Sequence, residues 1–383
     1  MPPNERQARV MLTEVVDAGD PVLAAAVSQS GAQQTWAEVV AGRFGEPLAA
    51  RAAAVDLDRT ARLARVCRAR FIIPGDEEWP QRLEDLRFVE PVQRRGGVPI
   101  GLWLRGPGHL AALLARAVAI VGSRAASPYG SGVATDLAAD LAEDGVTVVS
   151  GGAYGIDAAA HRGALSVGGP TIAVLACGAD VDYPKGNAGL FQQIAERHLI
   201  VSELPLSESP TRVRFLGRNR LIAAATQGTV VVEAAVRSGA RNTAGWAANC
   251  ARHLMAVPGP VYSAMSEGPH LMIRTGQAVL VTGGTEVREL LAPMGSDLLG
   301  LPQGRLRPTD ELSEPQLAVF EALPARGWAA PGDVALRAGL PMPATLRELA
   351  ALERRGLAEA GERGWRLGRP VPARATARAA PGS

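Results

Sequence analysis

Short apolar runs alternate with longer segments of helical periodicity between residues 117 and 291 of the chain. A strand that is apolar throughout is buried on both faces, which is typical of a parallel sheet covered by helices. The pattern therefore predicts a Rossmann-like, doubly wound α/β domain, a fold that binds ligands at the carboxyl ends of its strands. The predicted strands are Val118–Val121, Val146–Val149, Thr171–Leu175, Leu199–Ser202, Thr229–Val232, Leu254–Val257 and Ala278–Val281.

The helical segments between these strands complete the alternation. They are Gly130–Glu143, Ile156–Leu165, Leu190–Arg197, Asn219–Thr226, Thr243–Cys250 and Glu286–Leu291. An extended run from Pro99 is expected to add one strand at the entrance to the domain, after a turn-rich connector that includes Phe71. We therefore assign the Rossmann-like domain to residues 76–292.

The flanking segments have different patterns. Residues 1–75 contain amphipathic helical pieces and no clear strand, which predicts a small helical domain. Proline and glycine are frequent over 293–311, which predicts a linker. Three helical patterns followed by a short extended pair over 312–368 predict a winged-helix domain. Residues 369–383, rich in Pro, Ala and Arg, predict a disordered tail.

Composition limits the possible partners. The 383-residue chain has 40 basic and 38 acidic side chains, so its net charge is only +2 and any nucleic-acid site requires local clustering of basic residues. The three cysteines are far apart and show no metal-binding spacing, which predicts neither a disulfide framework nor a metal site. A polar N-terminus and the lack of a long apolar run predict a cytoplasmic protein without a membrane span.

Glycines and polar residues follow most of the predicted strands. Gly122, Ser123 and Arg124 follow the first strand, and Gly151 and Gly152 follow the second. Glycine lets the backbone approach a ligand closely and lets successive N–H groups bind an anion. Because the carboxyl ends of parallel strands meet at one edge of the sheet, these loops predict a common site for a phosphate-rich ligand.

Two basic residues near these loops leave a choice open. Lys185, the only lysine of the chain, lies in a loop flanked by proline and glycine, where it is either a phosphate contact or an ordinary exposed residue. Arg124 follows a strand end, where it could bind phosphate or pair with an acid such as Asp157. The shared sheet edge favours the phosphate role for Arg124.

Four arginines lie within nine residues, with no acidic residue between them: Arg212, Arg214, Arg218 and Arg220. The planar guanidinium group suits bidentate contacts with phosphate. We predict an arginine loop at the start of a helix, where outward N–H groups also favour anions. A solvated loop is the alternative, but the neighbouring glycine loops favour a site centred on Arg218, Asn219 and Arg220.

The remaining polar residues do not predict catalysis. Glu233, after the fifth predicted strand of the central domain, is either a functional carboxylate or a structural acid held by neighbouring N–H groups, and we favour the structural role. His161 is interpreted as a capping or packing residue. Neither the dinucleotide nor the P-loop glycine fingerprint occurs, and no metal cluster or nucleophile–base arrangement is convincing. We therefore predict no enzyme activity, no cofactor and no metal.

Together these motifs resemble the DprA family (DNA processing protein A, also called Smf) from about Phe71 to Leu291. The motifs that carry the resemblance are Ala119-Ile-Val-Gly-Ser-Arg, Ser150-Gly-Gly-Ala-x-Gly-Ile-Asp-x-x-Ala-His, Val181-Asp-Tyr-Pro, Ser202-Glu-Leu-Pro, Arg218-Asn-Arg-x-Ile, Val232-Glu-Ala-x-x-x-Ser-Gly-x-x-x-Thr-Ala, Val257-Pro-Gly and Gly268-Pro-His-Leu-Met-Ile. The N-terminal helices look like the SAM-like domain of that family, and the C-terminal segment is similar to the winged helix of some members.

The resemblance implies a homodimeric protein that is not an enzyme. It would bind and protect incoming single-stranded DNA and load RecA recombinase onto it in natural transformation. The DNA-binding residues it implies are Gly122, Ser123, Arg124, Gly151, Gly152, Lys185, Phe215, Arg218, Asn219 and Arg220. One departure is visible, since members usually have Phe-Pro-x-Arg-Asn-Arg where this chain has Phe215-Leu-Gly-Arg-Asn-Arg. Losing the proline is expected to free the loop before the helix.

Physical expectations for a single-strand binder agree with this reading. Such proteins combine a basic groove with aromatic stacking surfaces, and Phe215 and Tyr154 are candidates for stacking. Aromatic residues are only 4% of the chain, so phosphate contacts should dominate the affinity. Neutralising roughly four to six phosphates predicts a log–log salt slope of about −3 to −4.

Two other functions have partial support in the sequence. Gly228-Thr229 with Glu233 partly echoes the motif of the Lonely guy phosphoribohydrolases, which are enzymes on a related fold, but the preceding Pro-Gly-Gly is missing. The predicted helix from Pro343 to Arg355 could read duplex DNA. Its arginines are balanced by glutamates, so a protein-interaction role is at least as well supported.

Overall fold

A computed structural model of the chain describes residues 2–236, 238–292 and 309–368. Among these residues nine strands form one sheet in the order β1-β2-β6-β5-β4-β3-β7-β8-β9. The strands are β1 Ala69–Ile72, β2 Leu102–Arg105, β3 Ala117–Val121, β4 Thr147–Ser150, β5 Thr171–Val174, β6 Leu199–Ser202, β7 Gly228–Val231, β8 His253–Ala256 and β9 Val279–Leu280. The seven strands from β3 to β9 pair in parallel, which confirms the predicted mostly parallel α/β fold.

The edge of the sheet differs from the prediction. β1 pairs antiparallel with β2, and β2 pairs antiparallel with β6. The sequence reading placed Phe71 in a connector, whereas Phe71 lies in β1 opposite Trp103. A four-residue strand that begins with Ala69 and Arg70 is too short to show an apolar pattern. Its position depends on the pairing with β2.

Helices cover both faces of the parallel strands. They are α5 Leu110–Leu114, α6 Pro128–Glu143, α7 Ile156–Ser166, α8 Ala188–Arg197, α9 Arg212–Ala225, α10 Gly239–Asn249, α11 Glu267–Arg274 and α12 Gly284–Leu291. Successive side chains of β3 point to opposite faces of the sheet and so meet different layers of helices. Val118 and Ile120 pack with α6 and α7, while Ala119 and Val121 pack with α9 and α10.

The strand order reverses between β3 and β7. From β3 the chain builds outward through β4, β5 and β6, and it then returns to place β7 on the other side of β3. In an open α/β sheet the loops diverge at such a switch point and leave a crevice at the carboxyl ends of the strands. The loops after β3 and β7 are therefore the expected walls of a binding site.

Four helices precede the sheet. They are α1 Glu5–Val15, α2 Pro21–Val40, α3 Glu46–Ala52 and α4 Leu57–Cys67. The first three share an apolar cluster of their own, whereas the fourth packs through Leu57, Leu63 and Ala64 against the core beside β2, β5 and β6. The segment between α1 and α2 lies against α9, since a Cβ atom on Gly217 would sit 2.9 Å from the Ala18 carbonyl oxygen. Gly217, which occupies the variable position of the Phe-Pro-x-Arg-Asn-Arg segment, thus allows this close approach.

The described C-terminal residues, 309–368, form a separate unit with its own apolar core. It contains α13 Glu314–Ala322, α14 Pro331–Ala338, α15 Met342–Arg354 and a hairpin of β10 Ala358–Gly361 and β11 Gly364–Leu367. This element order matches the predicted helices and hairpin, while the winged-helix assignment stays a prediction. Most of the predicted linker, 293–308, and the predicted tail, 369–383, lie outside the described residues.

Candidate nucleic-acid interface

A cleft of about 950 Å³ opens at the carboxyl ends of the strands, at the switch point between β3 and β7. Its walls are the loops after β3, β4, β5 and β7 together with the first turns of α9 and α10. The predicted site residues that line it are Gly122, Ser123, Arg124, Phe215, Arg218 and Asn219. Gly151 lines an adjoining smaller cavity that shares Arg124, Tyr183 and Phe215 with the cleft.

Arg124 is an exposed cation at the rim of the cleft. Its Cζ atom lies 4.4 Å from the centroid of the Phe215 ring, so the guanidinium group stacks on an aromatic face. The preceding turn is held by backbone contacts, because Ser123 N donates to Glu233 O at 2.7 Å. Gly122 allows this approach, since a Cβ atom there would lie 2.5 Å from an Ile156 side-chain carbon. Arg124 is thus held at the rim, and no described residue accepts a hydrogen bond from its guanidinium group, so its donors can bind a ligand.

Arg218 lies beneath Arg124 and is only 5% exposed. Its Nη1 atom donates to Val174 O at 3.1 Å, while its buried Nε atom has no partner and no described carboxylate forms an ion pair with it. Burial lowers the pKa of Arg218 to about 10; nearby Arg124 lowers it too, and Asp157 raises it. The group therefore stays positively charged near neutral pH, and an anion in the cleft would reduce the unfavourable energy of its burial.

Gly151 is required by Arg218. A Cβ atom on Gly151 would lie 1.5 Å from Arg218 Nη1, so the guanidinium group occupies the space that a side chain would fill. Asp157 holds this turn, because its carboxylate accepts from Gly151 N at 3.1 Å and from Ala153 N at 3.4 Å. Burial raises the pKa of Asp157, and Arg218 opposes that rise. The Arg124–Asp157 pair considered from sequence does not form among the described residues.

The predicted arginine loop is a helix. Thr211 caps α9, and all four arginines lie in its first turns, so the helical period points them in different directions. Arg212 is exposed and lines the cleft. Arg214 instead forms ion pairs with Asp17 and Glu208.

Arg220 is fully buried and does not reach the cleft. Its guanidinium group donates to both carboxylate oxygens of Glu203, at 2.7 and 2.6 Å, and to the carbonyl oxygens of Gly97 and Gly217. The expectation of a DNA contact at Arg220 therefore conflicts with the structure. Glu203, which lies seventeen residues earlier in the chain, pairs with Arg220 inside the protein. No local sequence pattern indicates this pairing.

Two further predicted site residues, Gly152 and Asn219, shape the walls of the cleft. Gly152 has φ +66°, and a Cβ atom there would lie 2.4 Å from a Phe191 ring carbon, so it shapes the turn. The Gly152 carbonyl oxygen accepts from Asn187 Nδ2 at 3.0 Å. Asn219 donates to Asn242 Oδ1 at 3.2 Å and thereby joins α9 to α10 across the cleft wall.

Lys185 is exposed and begins a short 3₁₀ helix, Lys185–Asn187. The next residue, Gly186, packs against Tyr154, which is half exposed at the same edge of the sheet. Tyr183 was not among the predicted site residues, yet it lines the cleft with its ring centroid 6.1 Å from that of Phe215. Its place in the Val181-Asp-Tyr-Pro motif was the available signal.

Glu233 and His161 have structural roles. The Glu233 carboxylate accepts from Ser127 N at 2.9 Å and from Ser127 Oγ, and it packs on Gly130 at the start of α6. His161 is buried, and because Thr171 Oγ1 donates to Val148 O, His161 Nδ1 is the donor to Thr171. Burial lowers the pKa of His161 to about 3, with Arg218 and Arg162 adding to the effect. The favoured structural reading of Glu233 matches these contacts.

Within the described ranges, no group of three or more His, Cys, Asp or Glu residues is arranged to hold a metal ion. None of the described helices is long and apolar enough to cross a membrane. The cleft presents three arginines, the aromatic rings of Tyr183 and Phe215, and backbone N–H groups, all of which suit phosphates and bases.

Fold and cleft together define a Rossmann-like α/β protein with a basic, aromatic-lined crevice at its switch point. The family model of DNA recombination-mediator protein A matches residues 70–292. A DprA homologue from Mycobacterium tuberculosis (strain CDC 1551 / Oshkosh) is 43% identical over 341 residues, which are 87% of each chain. The chain belongs to the DprA/Smf family, whose members process DNA in recombination.

Two solved structures extend this likeness. The X-ray structure of DNA processing protein A from Streptococcus pneumoniae matches with a TM-score of 0.63 and 30% identity, over 76% of this chain and 98% of that one. DNA processing protein A from Helicobacter pylori, described with its single-stranded DNA binding mode, matches with a TM-score of 0.50 and 28% identity, over 58% of this chain and 95% of that one.

Proposed function

We propose that this protein binds single-stranded DNA in the cleft at the switch point. The observation that carries the proposal is the layered pair of arginines. Arg124 stacks on Phe215 at the surface, and Arg218 lies buried below it with an unsatisfied Nε atom. A phosphate at the rim would interact with both charges, and the adjacent bases would meet Phe215 and Tyr183. The binding mode described for the Helicobacter pylori relative supports this function.

Sequence-independent binding follows from the composition of the cleft. Its cations are Arg124, Arg212 and Arg218, with Lys185 nearby, so about four phosphates are neutralised and the log–log salt slope should be about −3. Aromatic faces accept any base, so stacking on them does not discriminate between sequences. We expect little preference among single strands of different sequence.

We further propose that the bound strand is passed to RecA recombinase, that the protein works as a cytoplasmic homodimer, and that it protects incoming DNA without catalysing a reaction. The family description as a recombination mediator supports the first of these. The hydrogen bonds that hold both oxygens of the Glu233 carboxylate to Ser127 speak against the phosphoribohydrolase alternative, in which Glu233 would act on a substrate. We keep the domain limits 1–75, 76–292, 293–311, 312–368 and 369–383 as part of the proposal, with 312–368 as a winged helix.

A gel shift with one oligonucleotide as single strand and as duplex tests DNA binding. The wild type should prefer the single strand, and Arg124→Ala should weaken that binding and reduce the salt slope by about 0.7. Arg43→Ala is a matched control, because Arg43 is exposed and pairs with Glu38 in the helical N-terminal segment. Stronger duplex binding, or equal effects of the two substitutions, would overturn the proposal.

A further inference from the structure

The exposed aromatic residues of this chain are concentrated at one edge of the sheet. All six tryptophans and five of the six phenylalanines, every one of them in the described residues, are buried or half-buried, and Phe88 is the exception. All four tyrosines are exposed. They are Tyr129 at 42%, Tyr154 at 51%, Tyr183 at 44% and Tyr262 at 100%. Burial of aromatic area stabilises a fold, so leaving these rings in water points to a use for them.

Each tyrosine follows the carboxyl end of a strand. Tyr183 follows β5, Tyr154 follows β4, Tyr129 follows β3 and Tyr262 follows β8. The sheet order β5-β4-β3-β7-β8 therefore arranges them along the edge as Tyr183, Tyr154, Tyr129 and Tyr262. With strands about 4.8 Å apart, the strand ends that bear the first and last rings are about 19 Å apart. The cleft lies between them at β3 and β7.

The two tyrosines on the β8 side are held by their surroundings. Tyr129 donates its hydroxyl hydrogen to Pro258 O at 2.6 Å, so its ring is fixed against the loop that follows β8. That loop is anchored in turn, because Gly259 N donates to His270 Nε2 at 3.3 Å and Ser263 N donates to Pro260 O at 3.0 Å. Tyr262 thus projects from a well-supported turn with its whole side chain in water.

We propose that Tyr129 and Tyr262 form a second base-stacking subsite for single-stranded DNA, on the β8 side of the cleft. The inference rests on the proposed function and deepens it. A strand anchored by its phosphates at Arg124 would continue across the ends of β3 and β7 and place a further base on Tyr262. A stacked strand advances about 3.4 Å per nucleotide, so the edge from Tyr183 to Tyr262 accommodates about five or six nucleotides.

Stacking of DNA explains the residue types better than docking of a protein does. A protein-binding patch needs contiguous apolar area, whereas these rings are spread along the edge with glycines and polar residues between them. Successive separated aromatic platforms beside a row of cations are the arrangement that single-strand binders use. Val261, 77% exposed in the same turn as Tyr262, provides an internal comparison because its side chain is apolar but cannot stack.

Oligonucleotide length separates the second subsite from the cleft. Binding of dT3 and dT12 to the full-length protein is measured by fluorescence anisotropy at several salt concentrations. Arg124 and Tyr262 follow strands two spacings apart, about 10 Å, which the two steps of dT3 do not span. Tyr262→Ala should weaken dT12 binding by about 5- to 160-fold, the range for loss of one stacked base, and leave dT3 binding unchanged. Its salt slope should match the wild type, because no phosphate contact is lost. Tyr262→Trp should restore the affinity, and Val261→Ala should have no effect.

Each result decides the inference. If Tyr262→Ala binds dT12 as the wild type does, while Arg124→Ala still weakens both oligonucleotides, the cleft is correct and the second subsite is refuted. If the wild type binds neither length, the proposed function and the subsite fail together. If Val261→Ala and Tyr262→Ala weaken dT12 equally, or if Tyr262→Ala changes the oligomeric state seen by light scattering, the turn is a protein contact and stacking is refuted.

Discussion

The arginines of α9 fall into those that face the cleft and those that are paired with acids. A substitution of Arg220 tests this difference directly. Replacing Arg220 by Met keeps a long, unbranched side chain in α9 but removes the charge that faces Glu203. We expect Arg220→Met to destabilise the protein without removing a DNA contact. Arg218 lies two residues earlier and is also buried, but it faces the cleft. Arg218→Met should therefore weaken DNA binding, because a phosphate contact is lost.

The size of the stability loss follows from the contacts. Arg220 is fully buried, and its four hydrogen bonds include two to the Glu203 carboxylate, which is itself 7% exposed. Removing one partner of a buried ion pair leaves an uncompensated charge and typically costs about 3–5 kcal/mol. Adding Glu203→Leu to Arg220→Met removes that charge, so the double variant should recover most of the loss.

Urea unfolding followed by tryptophan emission measures these changes. A chain ending at residue 311 is suitable, because it keeps the buried Trp103 of β2 and Trp246 of α10 and omits the tryptophans of the C-terminal unit. The salt slope of single-strand binding is measured on the same variants under fully folded conditions. An unchanged free energy of unfolding in Arg220→Met, or a slope reduced by about 0.7 as expected for Arg218→Met, would refute the structural role.

Three further outcomes are expected. Gly151→Ala should weaken single-strand binding, because the new Cβ atom would displace Arg218 from beside the turn; a dissociation constant equal to that of the wild type would contradict the packing. Between pH 7 and pH 5 the unfolded state protonates His161, whose pKa in the folded state is about 3, while the native state does not. The free energy of unfolding should thus decrease as the pH is lowered from 7 to 5, and His161 should account for about 2 kcal/mol of that decrease. In urea titrations at pH 7 and pH 5, the free energy of unfolding of His161→Gln should decrease by about 2 kcal/mol less than that of the wild type. The same decrease in both proteins would argue against a buried neutral imidazole. Ending the chain at residue 311 should preserve single-strand binding in gel shifts, since the C-terminal unit has a separate core; loss of binding would assign the interface to that unit.

The parallel sheet and its binding edge were predictable because both leave local patterns. Strands buried on two faces appear as uninterrupted apolar runs, and turns that approach a ligand closely need glycine whatever surrounds them. Gly122, Gly151 and Arg124 were found for this reason. β1 was missed because a short, partly polar edge strand has no such pattern, and the start of α9 was misplaced because arginine is compatible with both a loop and a helix.

The roles of the individual charged residues needed the tertiary structure. Arg218 and Arg220 are two residues apart and chemically identical, yet one faces the cleft and the other faces Glu203. The helical period turns them about 200° apart, and only the packing of α9 between the sheet and the N-terminal helices decides which partner each one meets. The same holds for Tyr262, whose position in the row of exposed tyrosines depends on the order of the strands.

Sequence alone thus determined the fold class, the family resemblance and the edge of the sheet that carries the site, since these follow from periodicity and from residue types at strand ends. Tertiary structure decided which charges are free and which are paired, and how the aromatic rings line up along that edge. The reason is that burial and pairing join residues far apart in the chain, whereas periodicity reports only on near neighbours.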